Sequence, residues 1–106
     1  MADSNRKRIA VFGSTGSVGS LALEVIRAHQ DLFEVEILTA HNNDALLVEQ
    51  ALAFNPNAVV IGDESKYQAV RDALAATDVK VFAGENAVEE VAAFDAYDMM
   101  FCGIVG

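Results

Sequence analysis

Directly after the apolar run Ile9-Ala10-Val11-Phe12 stands the segment Gly13-Ser14-Thr15-Gly16-Ser17-Val18-Gly19. No other stretch narrows the possible folds as far. A short apolar run, a glycine-rich turn and then a helical pattern specify strand, loop and helix in that order. Glycine lets the backbone turn sharply and approach a ligand, and the free amides of a helix start point at anionic oxygens. The combination is a site for a diphosphate, with Gly13 opening the loop. The spacing is G-x-x-G-x-x-G rather than the commoner G-x-G-x-x-G, so the legible strand and helix on either side carry most of the weight. A tight turn alone needs fewer glycines and fewer of the small polar residues Ser14, Thr15 and Ser17.

The remaining pattern alternates strand and helix. Ser17 to about His29 carries Val18, Leu21, Ala22, Val25 and Ile26 on one helical face, followed by a loop at Asp31-Leu32-Phe33. Glu34–Ala40 reads as a second strand and His41-Asn42-Asn43-Asp44 as a polar turn, with Asn43 or Asp44 the helix N-cap. A second helix places Leu46, Leu47, Ala51 and Phe54 at helical spacing, and Asn55-Pro56 ends it. Ala58–Ile61 is a continuous apolar run of the kind buried in a parallel sheet. Gly62-Asp63-Glu64-Ser65 caps a third helix, which reaches about Ala76 with Tyr67, Val70 and Leu74 inward. A fourth strand spans Val79–Phe82, Gly84 turns into a short helix with Val88 and Val91, and the last strand covers Met99–Val105. Five strands alternating with helices predict an α/β fold, a Rossmann-like doubly wound parallel sheet in one domain over 1–106.

Charge and composition exclude several classes. The formal net charge of −9 argues against general nucleic-acid binding, and apolar runs of strand length only predict no membrane span. A dinucleotide is then held by local backbone donors against the overall field. One cysteine, Cys102, rules out an internal disulfide framework and fits a reducing compartment such as the cytosol. Cys102 reads as a small apolar residue rather than a nucleophile, and His29 as a structural residue late in the first helix. Arg6-Lys7-Arg8 reads as a solvated leader at the strand end remote from the loop. Two histidines and one cysteine at unrelated spacings assemble no metal site, and no nucleophile–base pair stands out.

The end of the second strand, where such a sheet meets an adenosine ribose, falls near Thr39-Ala40 and lacks the acid usual for NAD. Glu36 lies earlier in the strand. Absence of that acid leans toward NADP, yet the turn carries no Arg or Lys, only His41, Asn42 and Asn43. On spacing alone these residues serve equally as ordinary turn formers. Gly103 and Gly106 could admit a ligand ring at the end of the last strand, although a buried strand with a C-terminal turn explains them as well.

Lys7–Gly19, Leu23-Glu24-Val25-Ile26, Val48-Glu49-Gln50, Phe54-Asn55-Pro56 and the closing Gly103-Ile104-Val105-Gly106 together resemble the start of the 1-deoxy-D-xylulose 5-phosphate reductoisomerase family. The resemblance covers nearly all of the chain. It implies NADPH-dependent rearrangement and reduction of a sugar phosphate to 2-C-methyl-D-erythritol 4-phosphate in non-mevalonate isoprenoid synthesis. It further implies a divalent metal (magnesium, manganese or cobalt), a homodimer and a bacterial cytoplasmic location. Carried over by position, Thr15, Gly16, Ser17 and Val18 contact the NADPH diphosphate and its surroundings. His41, Asn42 and Asn43 match the second cofactor segment. Many members have Gly in place of His41 and a basic residue in place of Asn42, whereas Asn43 matches. Family members are considerably longer, and their metal ligands and substrate-phosphate residues fall beyond Gly106. The chain is accordingly expected to be an N-terminal cofactor portion, inactive alone. The alternatives are the cofactor domain of another NADP-linked dehydrogenase, of the semialdehyde or extended short-chain type, and a stand-alone nucleotide-binding module.

Overall fold

The computed structural model describes residues 7–84, 86, 87, 90 and 98–102. Elements follow one another as β1 (Lys7–Phe12), α1 (Ser17–Ala28), β2 (Phe33–Ala40), α2 (Asp44–Phe54), β3 (Ala58–Ile61), α3 (Tyr67–Ala73), β4 (Lys80–Ala83) and β5 (Met99–Cys102). All pairings are parallel and the order across the sheet is β4-β3-β2-β1-β5. From β1 the chain steps outward three times, to β2, to β3 and to β4. Right-handed crossovers in one direction place every connecting helix on one face. There Leu23 and Ile26 of α1, Leu47 and Ala51 of α2, and Val70 and Leu74 around the end of α3 cover Val11, Leu38, Val59 and Ile61. The opposite face holds Ala10, Phe12, Ile37 and Val60, with Ala87 from the return crossover against them. The direction of winding therefore reverses between β1 and β5, and such a reversal opens a crevice at the carboxyl ends of the strands.

A β-bulge in β2 decides what faces where. Ile9 lies opposite Val35 and Ala10 opposite Ile37, which leaves Glu36 as the extra residue. A side-chain period of two would put Val35, Ile37 and Thr39 on the same face. The extra residue shifts that parity, so Val35, Leu38 and Ala40 join the helix-side core while Ile37 faces the other side. Burial raises the Glu36 carboxyl above its ordinary range, opposed chiefly by a hydrogen bond with Asn57.

Several expectations need correction. In α1 the buried residues are Ala22, Leu23 and Ile26, whereas Leu21 and Val25 are 62% and 57% exposed. Helix-side packing selects the stripe that continues Gly19, one residue round from the stripe the apolar pattern favours. Lys7 and Arg8 are no leader but the first residues of β1. The Arg8 amide donates to Asp98 Oδ2 at 3.0 Å and its guanidinium lies 3.5 Å from Oδ1, which ties β1 to the entry of β5. The third helix opens as a 3-10 turn at Glu64–Lys66 and ends at Ala73, because the Asp63 side chain caps Ser65 and tightens the first turn. Phe33 belongs to β2, and Leu46 and Phe54 are half-buried. The expected helix with Val88 and Val91, together with Gly103 and Gly106, lies outside the described residues, as does the Cys102 side chain.

Candidate functional site

The β1–α1 loop is held at every polar atom of its second residue. Ser14 is completely buried. Its amide donates to the Thr39 carbonyl at 2.8 Å, and its hydroxyl donates to Gln50 Oε1 at 2.7 Å. Its carbonyl accepts from Gln50 Nε2 at 2.9 Å and from Ser20 Oγ at 3.3 Å. Three elements thus fix one residue: β2 through Thr39, α2 through Gln50 and α1 through Ser20. Gly13 precedes it at φ 79°, a left-handed conformation that favours glycine. The Gly13 amide donates to both the carbonyl and Oγ1 of Thr39, at 3.1 and 3.0 Å.

Gly19, in the first turn of α1, closes the loop. A Cβ there would stand 2.2 Å from the Gly13 carbonyl oxygen and 2.8 Å from Ser14 Cα, both backbone atoms. Only a residue without a side chain lets the helix sit this close beneath the loop. Gly16 differs. It is exposed, and its φ of −78° suits any residue, so the fold itself does not demand glycine there. Gly16 is the N-cap and no side chain caps α1. Its amide donates to Gly13 O at 3.1 Å, and its carbonyl receives Ser20 N at 2.8 Å. The Thr15 amide donates to no carbonyl among the described bonds, and the first-turn amides of Ser17, Val18 and Gly19 have none within a helix to reach. Of the predicted diphosphate residues, Gly13, Thr15 and Gly16 lie together at the mouth of the crevice beside the backbone of Ser17 and Val18. The side chains of Ser17 and Val18 fall outside the described residues.

Across the sheet, His41, Asn42 and Asn43 form an exposed turn at the end of β2. The Asn43 side chain caps α2, accepting from Leu46 N at 3.3 Å, and Asp44 lies 3.5 Å from Lys66 Nζ. The neighbouring turn packs alongside: Asp63 N donates to the His41 carbonyl at 2.7 Å, and a Cβ on Gly62 would come within 3.1 Å of His41 Nδ1. Bonds from the Ser65 hydroxyl and amide hold the Asp63 carboxyl below its usual range, so it is firmly anionic beside this turn. Positive charge comes from Lys66 rather than from the turn itself.

Thr39 and Gln50 went unassigned as site residues in the sequence reading. Both are polar and buried. The one available signal was that Gln50 falls three residues after Leu47 on the inward face of α2. A groove of about 560 Å³ between α1 and α2, lined by Ser20, Leu23, Arg27, Leu46, Gln50 and Phe54, lies on the helix layer rather than at the strand ends. Arg27 sits over the Phe54 ring at 5.6 Å from its centroid, closing one side. Among the described residues no group of three or more His, Cys, Asp or Glu is placed to hold a metal, and no helix is long and apolar enough to cross a membrane.

Residues 9–106 match the family of 1-deoxy-D-xylulose 5-phosphate reductoisomerase. A protein of that name from Phocaeicola vulgatus is 48% identical over 101 residues, which are 95% of this chain and 26% of the relative. One from Allorhizobium ampelinum is 40% identical over 107 residues, 99% of this chain and 27% of the relative. The chain thus spans about a quarter of the length of the curated relatives it matches. Among solved structures, the Zymomonas mobilis enzyme in complex with NADPH superposes with a TM-score of 0.89 at 35% identity, covering 95% of this chain and 26% of that one. A reductoisomerase complex with NADPH, fosmidomycin and magnesium gives a TM-score of 0.88 at 26% identity, covering 94% and 25%.

Proposed function

The chain belongs to the 1-deoxy-D-xylulose 5-phosphate reductoisomerase family, and from that premise we propose that it forms the NADPH-holding portion of such an enzyme. The reaction is the rearrangement of 1-deoxy-D-xylulose 5-phosphate and its reduction to 2-C-methyl-D-erythritol 4-phosphate. One observation carries the reading. The uncapped start of α1 stands over a loop fixed by Ser14 and Gly19, at the place where the sheet reverses its winding.

The residues suit a dinucleotide by chemistry. The amides of Thr15, Ser17 and Val18 face the crevice mouth as a donor set for a diphosphate, and exposed Gly16 leaves the approach open. When bound, NADPH supplies the hydride for the reduction. The chain's own part is to bind the diphosphate, orient the cofactor along the strand ends and keep α1 rigid behind it. His41, Asn42 and Asn43 receive the adenosine end. Amide and imidazole donors there, without an acid at the end of β2, accommodate a 2′-phosphate, and Lys66 stands beside the turn in a pair with Asp44. The divalent metal and the residues that handle the sugar phosphate would lie in further parts of such an enzyme. A cofactor-domain role, a homodimer and a bacterial cytoplasmic location form part of the same proposal.

Calorimetric titration of this chain with NADPH and NADH side by side tests the reading. Tighter NADPH binding is expected. Equal affinities would remove the 2′-phosphate assignment from His41–Asn43, and absence of binding by either would remove the cofactor role from the chain.

A further inference from the structure

We infer that Gln50 is a positioning residue for cofactor binding, fixing through Ser14 the direction in which the Thr15 amide points. The inference rests on the cofactor reading above. Gln50 makes no contact with the crevice mouth; it reaches the loop from behind, out of α2.

Peptide planarity carries the effect. The Ser14 carbonyl and the Thr15 amide belong to the same peptide unit, and in a trans peptide the C=O and N–H point in opposite directions. Gln50 Nε2 grips that carbonyl at 2.9 Å, supported by Ser20 Oγ at 3.3 Å. The same side chain accepts the Ser14 hydroxyl at 2.7 Å. Rotation of the peptide plane would break the bond to the carbonyl. The Thr15 N–H is therefore held pointing away from α2, free of any carbonyl among the described bonds.

A structural need alone does not account for the choice of residue. Gln50 is 8% exposed and shares the inward face of α2 with Leu47 and Ala51. An aliphatic side chain there would satisfy the packing without burying an amide, which is costly unless both ends are bonded. Gln alone among the common residues offers one donor and one acceptor at this reach, matching the Ser14 carbonyl and hydroxyl at once.

The test is calorimetric binding of NADP⁺, which carries the same diphosphate and survives acid, to this chain and to its Gln50→Leu and Gln50→Glu variants. Thermal melting is followed in parallel. Gln50→Leu is expected to bind at least about tenfold more weakly at a temperature where it is fully folded. Gln50→Glu separates positioning from packing. Its ionised carboxylate accepts from the Ser14 hydroxyl but repels the Ser14 carbonyl, whereas the neutral acid restores both bonds. The variant's affinity relative to wild type should then recover as pH falls through the carboxyl titration. Glu24, Arg27 and Glu49 line the same groove in wild type and variant alike, so the ratio is the quantity read. Unchanged affinity in folded Gln50→Leu, or a ratio for Gln50→Glu that stays constant with pH, overturns the inference while wild-type binding stands. If Gln50→Leu fails to fold, the Glu ratio decides. Failure of wild type to bind removes the cofactor reading and this inference with it.

Discussion

The loop after β1 and the turn after β2 face the same crevice and are built by opposite means. In the first, backbone positions are dictated from within. Ser14 is sealed on all its polar atoms, Gly13 takes a left-handed conformation, and Gly19 brings α1 against the loop. In the second, His41, Asn42 and Asn43 are exposed, and the described side-chain cap of the helix start is a 3.3 Å bond from Leu46 N to the Asn43 side chain. A rigid loop suits a diphosphate, whose geometry is the same in every dinucleotide. A loosely built turn suits the end where cofactors differ, because its side chains change without disturbing the fold. On the proposed cofactor reading, affinity and selectivity are thus separated in space.

Gly19→Ala attacks the first region hardest. The added Cβ meets backbone that cannot yield, so stability should fall by about 3 kcal/mol or more, read as a lowered urea midpoint. Gly16→Val provides the counterpart, with stability lowered only by the roughly 1 kcal/mol that Val costs at an N-cap and NADPH binding lost, since a side chain there crowds the ligand's side. A large stability loss in Gly16→Val would erase the distinction between the two glycines. Asn42→Arg sharpens the second region. A cation added to the exposed turn should raise the preference for NADPH over NADH by roughly tenfold at low salt, an effect that fades as salt is added. Asn43→Ala should have the smallest effect. Loss of a long capping bond costs about 0.5–1 kcal/mol in thermal or urea unfolding, and a larger loss would show the turn to be as tightly built as the loop.

Apolar periodicity made the strand–helix alternation legible, most clearly at Ala58–Ile61, where a four-residue run is buried throughout. It failed where packing partners decide the outcome. In α1 two apolar stripes lie side by side, and only the loop beneath Gly19 determines which turns inward. In β2 the adjacent pair Ile37-Leu38 interrupts the alternation, yet a bulge at Glu36 is visible only once β1 is paired. For the candidate site, glycine and small-residue spacing singled out the loop after β1, because the backbone itself requires glycine at Gly13 and Gly19. The grip of Thr39 and Gln50 stayed hidden. Polar residues inside a core carry no periodic signature, and their partners lie 26 and 36 residues away in sequence.

The seam between β1 and β5 has a kinetic consequence. The Arg8 amide reaches Asp98 across a separation of 90 residues, while β1–β2, β2–β3 and β3–β4 join consecutive strands. Closing a loop of that length costs about 4 kcal/mol of chain entropy beyond a constant term, so β1–β5 pairing is expected to follow the local strand pairs during folding. In chain order the glycine loop comes well before β5, the opposite wall of its crevice. Until β5 docks, the chain therefore carries its glycine loop beside an open sheet edge at β1, an interval in which a stray strand has the best chance to take the place of β5.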